Sequence, residues 1–337
     1  MRSLEYIEYG QVPVLTDRIA PKAAMGEVIV RIAGAALNPL DTKIHAGYMV
    51  DFFPIELPYV PGTDISGSIA EVGDGVSGWK VGDEIIARLD PAKGGAFAEF
   101  AAVAADQLVR APTSMPLAES AGLVTVGGTA WQALFNEHTV ASGQRVLIHG
   151  AAGPVGAFAT QLAVQAGAEV FATASAQDAE YVLGLGAAKV IDYRNDLFEN
   201  HLSEIDLVID TVGGDVEERS LKVLKPGGTL IATPMPPNED RAREAGVTAK
   251  FVFHMSDAAK LAHVAERADH GVRVRVDRMV AFEEAAEAFA RQAGGKAKGK
   301  PSSPNPDRQP CCASRASAFA GGEWQRRSFL PLRSSSA

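Results

Sequence analysis

The stretch 146–156, VLIHGAAGPVG, combines residue types that suit phosphate binding. Its glycines let backbone N–H groups approach a phosphate, and the helix expected to follow adds the positive end of its dipole. Gly153 and Gly156 match two positions of the dinucleotide motif G-x-G-x-x-G, while Ala151 stands at the first. The alternative is an ordinary glycine-rich turn. Because further strand–helix alternation follows it, we predict a dinucleotide site here.

The end of the next predicted strand, 169–174, bears on which dinucleotide binds. An NAD site usually has Asp or Glu there, to bind the ribose hydroxyls. Ser175 follows this strand instead and can donate a hydrogen bond to a 2′-phosphate. Tyr193 and Arg194, after the third predicted strand, would complete such a pocket. We therefore predict NADPH as the cofactor, the alternative being that Ser175 is only a turn residue.

A second polar cluster follows the apolar stretch 27–36. Asn38 offers an uncharged hydrogen-bond donor that could polarise a carbonyl, and Tyr48 is a candidate proton source. Asp41 belongs to the same cluster. Equally, Asn38 and Asp41 could simply cap the turn before a short helix. The residues alone leave these two interpretations open.

The sequence argues against a bound metal. Zinc requires Cys, His or carboxylate ligands that converge at bonding distance. The two cysteines are the adjacent Cys311 and Cys312, so a four-cysteine site is excluded, and the seven histidines show no metal-ligand spacing. We predict no metal site.

The elements that must position these residues change character along the chain. The first part is β-rich, with strands predicted at 27–36, 65–72, 84–89 and 96–104 and a helix at 117–124. From 126 to 260, strands at 145–149, 169–174, 189–192, 206–210 and 229–233 alternate with helices at 154–165, 178–185 and 215–224. A helix at 256–268, a strand at 272–276 and a helix at 283–290 follow. This pattern predicts an α/β fold with a parallel sheet beside a β-rich domain.

Length, charge and hydropathy narrow the class of protein. The chain has 337 residues, which suggests two domains. Its net charge of -9 argues against a nucleic-acid partner. No secretory signal and no stretch of about 18 apolar residues occurs, so we expect no membrane partner and a cytoplasmic location.

Several segments resemble one family in the same order along the chain. They are 35–48, 57–85, 94–103, 126–134, 146–156, 206–214 and 224–233. They resemble the zinc-free, zeta-crystallin-like quinone oxidoreductases of the medium-chain dehydrogenase/reductase superfamily. The resemblance implies a GroES-like catalytic domain at 1–125, completed by 261–300, and a Rossmann NADP-binding domain at 126–260.

The resemblance also implies roles for individual residues. Zinc-dependent relatives have ligands where Asn38 and Gly62-Thr63-Asp64 stand here, and those ligands are absent. Asn38 is expected near the nicotinamide, and Tyr48 near the position of a proton donor. A basic residue usually follows the Ser175 position, whereas this chain has Asp178, with Arg194 as a substitute. The cofactor-binding positions that the resemblance implies are Asn38, Thr129, Ala152, Gly153, Pro154, Val155, Ser175, Tyr193, Val212, Phe251 and Phe253.

The implied activity is hydride transfer from NADPH to a small apolar quinone or α,β-unsaturated carbonyl. An enoyl-thioester reductase is the alternative enzyme, although the basic entrance that a thioester carrier needs is not visible. A non-catalytic NADPH-binding or structural protein is the alternative outside enzymes. Relatives often pair Rossmann-sheet edges, so a homodimer through 250–253 is expected.

The last segment, 301–337, departs from the family. Relatives continue into an apolar strand that closes the catalytic domain, whereas this chain continues with PSSPNPDRQPCC. Its richness in Ser, Pro and Arg predicts a disordered tail. We interpret the abrupt change as a shifted reading frame or a replaced terminus, which re-sequencing the end of the gene would decide.

Overall fold

Val- and Ile-rich stretches form strands in the first third of the computed structural model, as β-branched side chains favour. The model describes residues 1–255, 257–293, 300–302 and 310–313. The first strands are β1 (Arg2–Glu5), β2 (Val14–Asp17), β3 (Glu27–Leu37), β4 (Asp64–Val72), β5 (Glu84–Arg88), β6 (Phe100–Ala104) and β7 (Val109–Arg110). Two short helices, α1 (Pro39–His45) and α2 (Leu117–Ser120), accompany them.

Strand β3 organises this β-rich domain. It pairs antiparallel with β4 and with β6, and β4 continues through β5 to β7. Its buried side chains share one core with those of β4 and β5, including Val30, Ile65 and Ile85. The polar residues that follow β3 are therefore presented by a rigid strand end.

Strands and helices alternate in the second part of the chain. The strands are β8 (Arg145–His149), β9 (Glu169–Ala174), β10 (Lys189–Asp192), β11 (Ile205–Asp210), β12 (Leu224–Ala232) and β13 (Thr248–Phe251). The helices are α3 (Val124–Trp131), α4 (Pro154–Gln165), α5 (Ala179–Gly184), α6 (Asp215–Ser220), α7 (Glu239–Glu244) and α8 (Ala258–Asp269).

The six strands form one parallel sheet in the order β10-β9-β8-β11-β12-β13. This is the doubly wound Rossmann order, whose direction reverses between β8 and β11. Ligands of such sheets bind outside the carboxyl ends of the strands at this switch point. The predicted α/β fold, with a β-rich domain and a Rossmann sheet, is confirmed.

Helices α3 and α8 span the predicted domain limits. The limit at 125/126 falls inside α3, and the limit at 260/261 falls inside α8. Leu261, Val264 and Ala265 of α8 belong to the buried cluster that contains Val146 and Ile148 of β8. Because a continuous helix packs as one body, α8 belongs with the parallel sheet, and the expected return to the first domain comes after it.

The chain returns to the β-rich domain with β14 (Val276–Ala281) and α9 (Ala285–Ala293). Val280 and Phe289 join the core of that domain. The strand predicted at 272–276 is wrong, because β14 starts only at Val276. Residues 272–275 are held by side-chain hydrogen bonds instead of strand pairing. For example, the Arg273 guanidinium donates to the backbone oxygen of Ala268.

The tail contributes two strands, β15 (Lys300–Ser302) and β16 (Pro310–Ala313). Strand β16 lies between β3 and β14, parallel to the first and antiparallel to the second. The prediction of a disordered tail is therefore wrong for these two segments, because unpaired backbone groups of β3 and β14 offer a ladder to an extended chain. The other tail residues, 303–309 and 314–337, lie outside the described residues.

Among residues 1–255, 257–293, 300–302 and 310–313, no helix is both long enough and apolar enough to cross a membrane.

Candidate active site

The predicted phosphate loop connects β8 to α4 at the switch point of the parallel sheet. Gly150 has a φ of +66°, and the N–H of Gly153 donates to the carbonyl of Gly150 at 2.8 Å. Gly153 caps α4 and Pro154 begins it. A Cβ on Gly156 would lie 2.4 Å from the Gly150 oxygen, so only glycine lets the helix approach the loop this closely.

The other side of the crevice is the turn after β11. The buried Asp210 carboxylate accepts the N–H groups of Val212 and Gly213 at 2.8 and 2.9 Å. Thr211 donates to the carbonyl of His149 at 2.8 Å, which ties this turn to the phosphate loop. The backbone at Val212 is thereby fixed beside the loop, where a dinucleotide would lie.

The structure brings together only part of the predicted 2′-phosphate pocket. Ser175 is buried after β9, and its hydroxyl donates to Asp178 at 2.9 Å. Tyr193 is joined to this strand by its N–H, which donates to the Ala174 oxygen at 3.3 Å, but its side chain is exposed. Arg194 is also exposed and lies over the ring of Tyr193.

Sequence reasoning missed a cation at this end of the site. Arg275, from the linker between α8 and β14, donates to Asp178 Oδ1 at 3.0 Å and to the Ala152 oxygen at 3.0 Å. Arg275 was not predicted as a site residue because residues 272–276 were expected to form a strand. An acidic residue where a cation was expected is the signal that could have prompted a search for it.

Asn38 stands at the end of β3 and caps α1. Its backbone N–H donates to Asp41 Oδ2 at 2.6 Å, so Asp41 stabilises the start of the helix. Its side-chain amide donates to Asp64 Oδ2 at 2.9 Å, and both side chains are buried. The structure thus supports a capping role for Asp41 and a separate, buried contact for the Asn38 amide.

Asp64, at the start of β4, is the centre of a hydrogen-bond network between the two domains. Besides Asn38, it accepts from Thr63 at 3.1 Å and from both the N–H and the hydroxyl of Thr125 at 2.9 and 2.7 Å. Thr129 donates to the Thr125 oxygen one turn further along α3. Asn38 and Thr129, both predicted near the nicotinamide, are therefore linked through Asp64 and Thr125.

Aromatic side chains from both domains meet at the carboxyl end of β13. Phe251 ends the strand, and Phe253 stacks on Phe53 of the first domain at 6.1 Å between centroids. His254 follows, and its carbonyl accepts from the buried Arg88 at 2.8 Å. Burial, and then the charge of Arg88, lower the pKa of His254 well below its usual value, so its imidazole is neutral.

Tyr48 is not part of the buried network. Its side chain is 79% exposed, in the turn after α1, although its N–H donates to the Lys43 oxygen. Its role as proton donor stays a prediction.

The positions of the zinc ligands of related enzymes hold a different set of groups. At these positions the Asn38 amide donates a hydrogen bond to the Asp64 carboxylate, and the Thr63 hydroxyl donates a second one to it. Among the residues that the structure describes, no group of three or more His, Cys, Asp and Glu could hold a metal ion. This donor set does not fit zinc.

His149, at the end of β8, provides a pH-dependent stability prediction. Its ring nitrogens contact the Thr173 and Ser220 hydroxyls at 3.0 Å each. Burial lowers the pKa of His149 to about 3. The unfolded chain binds this proton near pH 6.5, so the stability that the neutral ring contributes is complete above about pH 6.5 and is lost as pH falls towards 3.

We expect the free energy of unfolding to fall by up to about 1.4 kcal/mol per pH unit below pH 6 because of this residue. Denaturant titrations at several pH values between about 7 and 5 give the free energy of unfolding as a function of pH. This free energy should fall less steeply with decreasing pH in His149→Gln than in wild type. The control is His263→Gln, which makes the same substitution at an exposed histidine and leaves the buried ring of His149 in place. Equal slopes for wild type and His149→Gln would contradict the neutral, buried histidine.

Known proteins share both parts of the fold. Residues 24–113 match the family "Alcohol dehydrogenase GroES-like domain", and residues 185–301 match "Zinc-binding dehydrogenase". The mitochondrial NAD(P)H oxidoreductase RTN4IP1 of Danio rerio is 32% identical over 87% of this chain and 88% of its own. The chloroplastic NADPH-dependent alkenal/one oxidoreductase of Arabidopsis thaliana is 34% identical over 69% and 62%.

A solved structure extends the likeness to three dimensions. The quinone oxidoreductase from Coxiella burnetii superposes with a TM-score of 0.81 at 26% identity, over 94% of this chain and 99% of its own. With the Rossmann strand order and the GroES-like domain on the same chain, this protein belongs to the medium-chain dehydrogenase/reductase superfamily of oxidoreductases, among its quinone oxidoreductase-like members.

Proposed function

We propose that this protein is an NADPH-dependent reductase that transfers hydride to a quinone or an α,β-unsaturated carbonyl without zinc. The observation that carries the proposal is the buried Asn38–Asp64–Thr125 network beside the Rossmann crevice. Thr125 lies on α3, which packs against α4, the helix that begins at the phosphate loop. The network that holds the Asn38 amide is thereby joined, through the packing of α3 on α4, to the helix that begins at the phosphate loop.

The residues around the crevice fit NADPH. The close approach at Gly156 and the free helix end at Gly153 suit a pyrophosphate, which Ala152, Pro154 and Val155 would flank. Ser175 stands directly after β9, where an NAD site usually has Asp or Glu, and this suits a 2′-phosphate. The other proposed contacts are Asn38, Thr129, Ser175, Tyr193, Arg194, Val212, Phe251 and Phe253. The names of the Danio and Arabidopsis relatives support this cofactor.

When bound, NADPH supplies a hydride. Asp64 holds one N–H of the Asn38 amide at 2.9 Å, while the other N–H makes a long contact of 3.5 Å with the Ala36 oxygen. We infer that this second N–H exchanges that contact for the acceptor oxygen, which it orients and polarises. Asp41 contributes by fixing the start of α1, directly after Asn38. The proton comes from Tyr48 or water, and we favour water because Tyr48 is 79% exposed.

The acceptor class follows from the surroundings of the cleft. Phe53 and Phe253 stack at the domain junction and offer an apolar face to a planar, electron-poor ring or enone. The relatives named for quinone and alkenal/one reduction support the same class. The groups that donate hydrogen bonds around Asn38, its own amide and the Thr63 and Thr125 hydroxyls, are uncharged. They fit an acceptor oxygen that is polarised by an amide instead of a metal.

The test is acceptor-dependent oxidation of NADPH by the purified chain, before and after dialysis against a chelator. We expect turnover with benzoquinones or small enones and the same rate after dialysis. Tight NADPH binding without turnover on any acceptor would favour a non-catalytic NADPH-binding protein. A rate that dialysis abolishes and added zinc restores would contradict the zinc-free proposal.

We further propose a homodimer that forms through β13. This strand is an edge of the parallel sheet, and its backbone groups are available to a second copy along that edge. Light scattering over a dilution series should show a dimer that dissociates only at low concentration. A monomer at every concentration would overturn this proposal and leave the reductase proposal intact.

A further inference from the structure

The Ser175 end of the crevice carries a pair of opposite charges that the chain assembles from distant segments. Asp178 follows Ser175 in the turn before α5, and Arg275 lies 97 residues further along the chain. Arg275 Nη1 and Nη2 both donate to Asp178 Oδ1 at 3.0 Å. The other carboxylate oxygen, Oδ2, accepts from Ser175 at 2.9 Å.

The guanidinium of Arg275 is held in place on three sides. Nη1 also donates to the carbonyl of Ala152 in the phosphate loop at 3.0 Å. The guanidinium carbon lies over the ring of Tyr181 at 4.3 Å from the centroid. The side chain of Arg275 is 33% exposed, so the cation is fixed but still open to a ligand. Planar guanidinium groups in such settings bind phosphates well.

Arg275 therefore lies between the loop proposed for the pyrophosphate and the serine proposed for the 2′-phosphate. Asp178 alone would repel a phosphate, and its ion pair with Arg275 cancels that charge. Arg194, the cation that the sequence suggested, is exposed, its guanidinium lies over the ring of Tyr193, and its backbone N–H donates to Asp192 at 3.2 Å. Arg275 is thus better placed than Arg194 to meet a phosphate beside Ser175.

We infer that Arg275 binds the 2′-phosphate of NADPH, and that Asp178 both positions this arginine and competes with the phosphate for it. The inference rests on the proposed function and names the residue that sets its cofactor preference. The competition makes the preference for NADPH over NADH smaller than an unpaired cation would give.

Fluorescence titrations with NADPH and NADH test this inference in wild type and in Arg275→Gln. Losing a hydrogen bond between charged groups should weaken NADPH binding about 10- to 100-fold. NADH binding should change by less than about threefold, because NADH lacks the phosphate. Arg275→Lys keeps the charge and should retain most of the preference.

The matched control is Arg273→Gln. Arg273 lies on the same linker but donates to the backbone oxygens of Ala268 and Val272, away from Asp178. Arg273→Gln should change the affinities for NADPH and NADH by the same factor or leave both unchanged. A purely structural Arg275 would behave in the same way, so an equal loss of NADPH and NADH binding in Arg275→Gln would overturn the inference.

Asp178→Asn provides a second, independent result if Arg275→Gln fails to fold. Removing the competing carboxylate should raise NADPH affinity about threefold or more, with NADH affinity nearly unchanged. Unchanged or weaker NADPH binding in Asp178→Asn would overturn the competition. If the wild-type protein binds neither nucleotide, the proposed function is overturned as well. If Arg275→Gln binds NADPH as tightly as wild type does, only this inference is overturned.

Discussion

Gly156→Ala is expected to abolish most NADPH binding, with an affinity loss of about 100-fold and a loss of about 2 kcal/mol in the free energy of unfolding. The added Cβ would lie 2.4 Å from the Gly150 oxygen and 2.8 Å from the Ala151 Cα. Both are backbone atoms, so the helix and the phosphate loop must separate. Isothermal titration with NADPH and denaturant unfolding measure the two effects.

Gly184→Ala is the control for this substitution. Gly184 also lies in a helix of the parallel-sheet domain, but a Cβ there meets no atom within 4 Å. It should leave NADPH affinity unchanged and raise stability by up to about 1 kcal/mol, since alanine favours the helix. Wild-type NADPH affinity in Gly156→Ala would mean that the cofactor does not bind at this loop.

Asp64→Asn is expected to reduce turnover about 100-fold and the free energy of unfolding by about 3 kcal/mol. The Asp64 carboxylate accepts hydrogen bonds from Asn38, Thr63 and Thr125. An amide of the same shape replaces one of its oxygens with a donor, which then faces other buried donors. The Asn38 amide loses its fixed orientation, so the rate falls through misalignment of the acceptor.

Turnover is to be measured where circular dichroism shows that Asp64→Asn remains folded. Asp106→Asn, a carboxylate on the surface, should change stability by less than about 0.5 kcal/mol and leave turnover unchanged. Thr125→Ser keeps the hydroxyl donor to Asp64 and should retain most of the rate. A destabilised Asp64→Asn with an unchanged rate would show that the network holds the domains together without orienting the acceptor.

The sequence alone predicted the parallel sheet closely. Strands β8, β9 and β10 and helix α4 have the predicted bounds, because buried parallel strands are continuous apolar stretches between glycine-rich turns. The switch point and the phosphate loop follow from that order. Periodicity predicted five of the six strands of this sheet, whereas β13 was expected only as a sheet edge at 250–253.

Side-chain partners across the chain were not predictable in this way. The segment before β14 alternates Val and Arg like a strand, yet Arg275 contacts residues about one hundred positions earlier. Similarly, no local pattern shows that Asn38 contacts Asp64, or that Tyr48 faces solvent. These contacts depend on how the two domains and the linker pack, and periodicity carries no information about that.

The tail is another part of the chain whose structure local sequence patterns did not predict. Composition favours disorder in 301–337, but Pro310–Ala313 pairs with β3 and β14. An open position between two strands can recruit a segment whose own sequence has weak strand preference, because backbone pairing does not depend on side chains. Local propensity is therefore a poor guide beside an unpaired edge.

Hydride transfer itself is the central claim, and labelled cofactor tests it directly. NADPH carrying deuterium at the transferable position of the nicotinamide is incubated with the protein and a small enone, and the product is analysed by mass spectrometry. We predict one deuterium on the β-carbon of a saturated ketone, at a rate that Asp64→Asn lowers. A reduced product without deuterium, or no reduction of any enone or quinone by a chain that binds NADPH, would contradict the account.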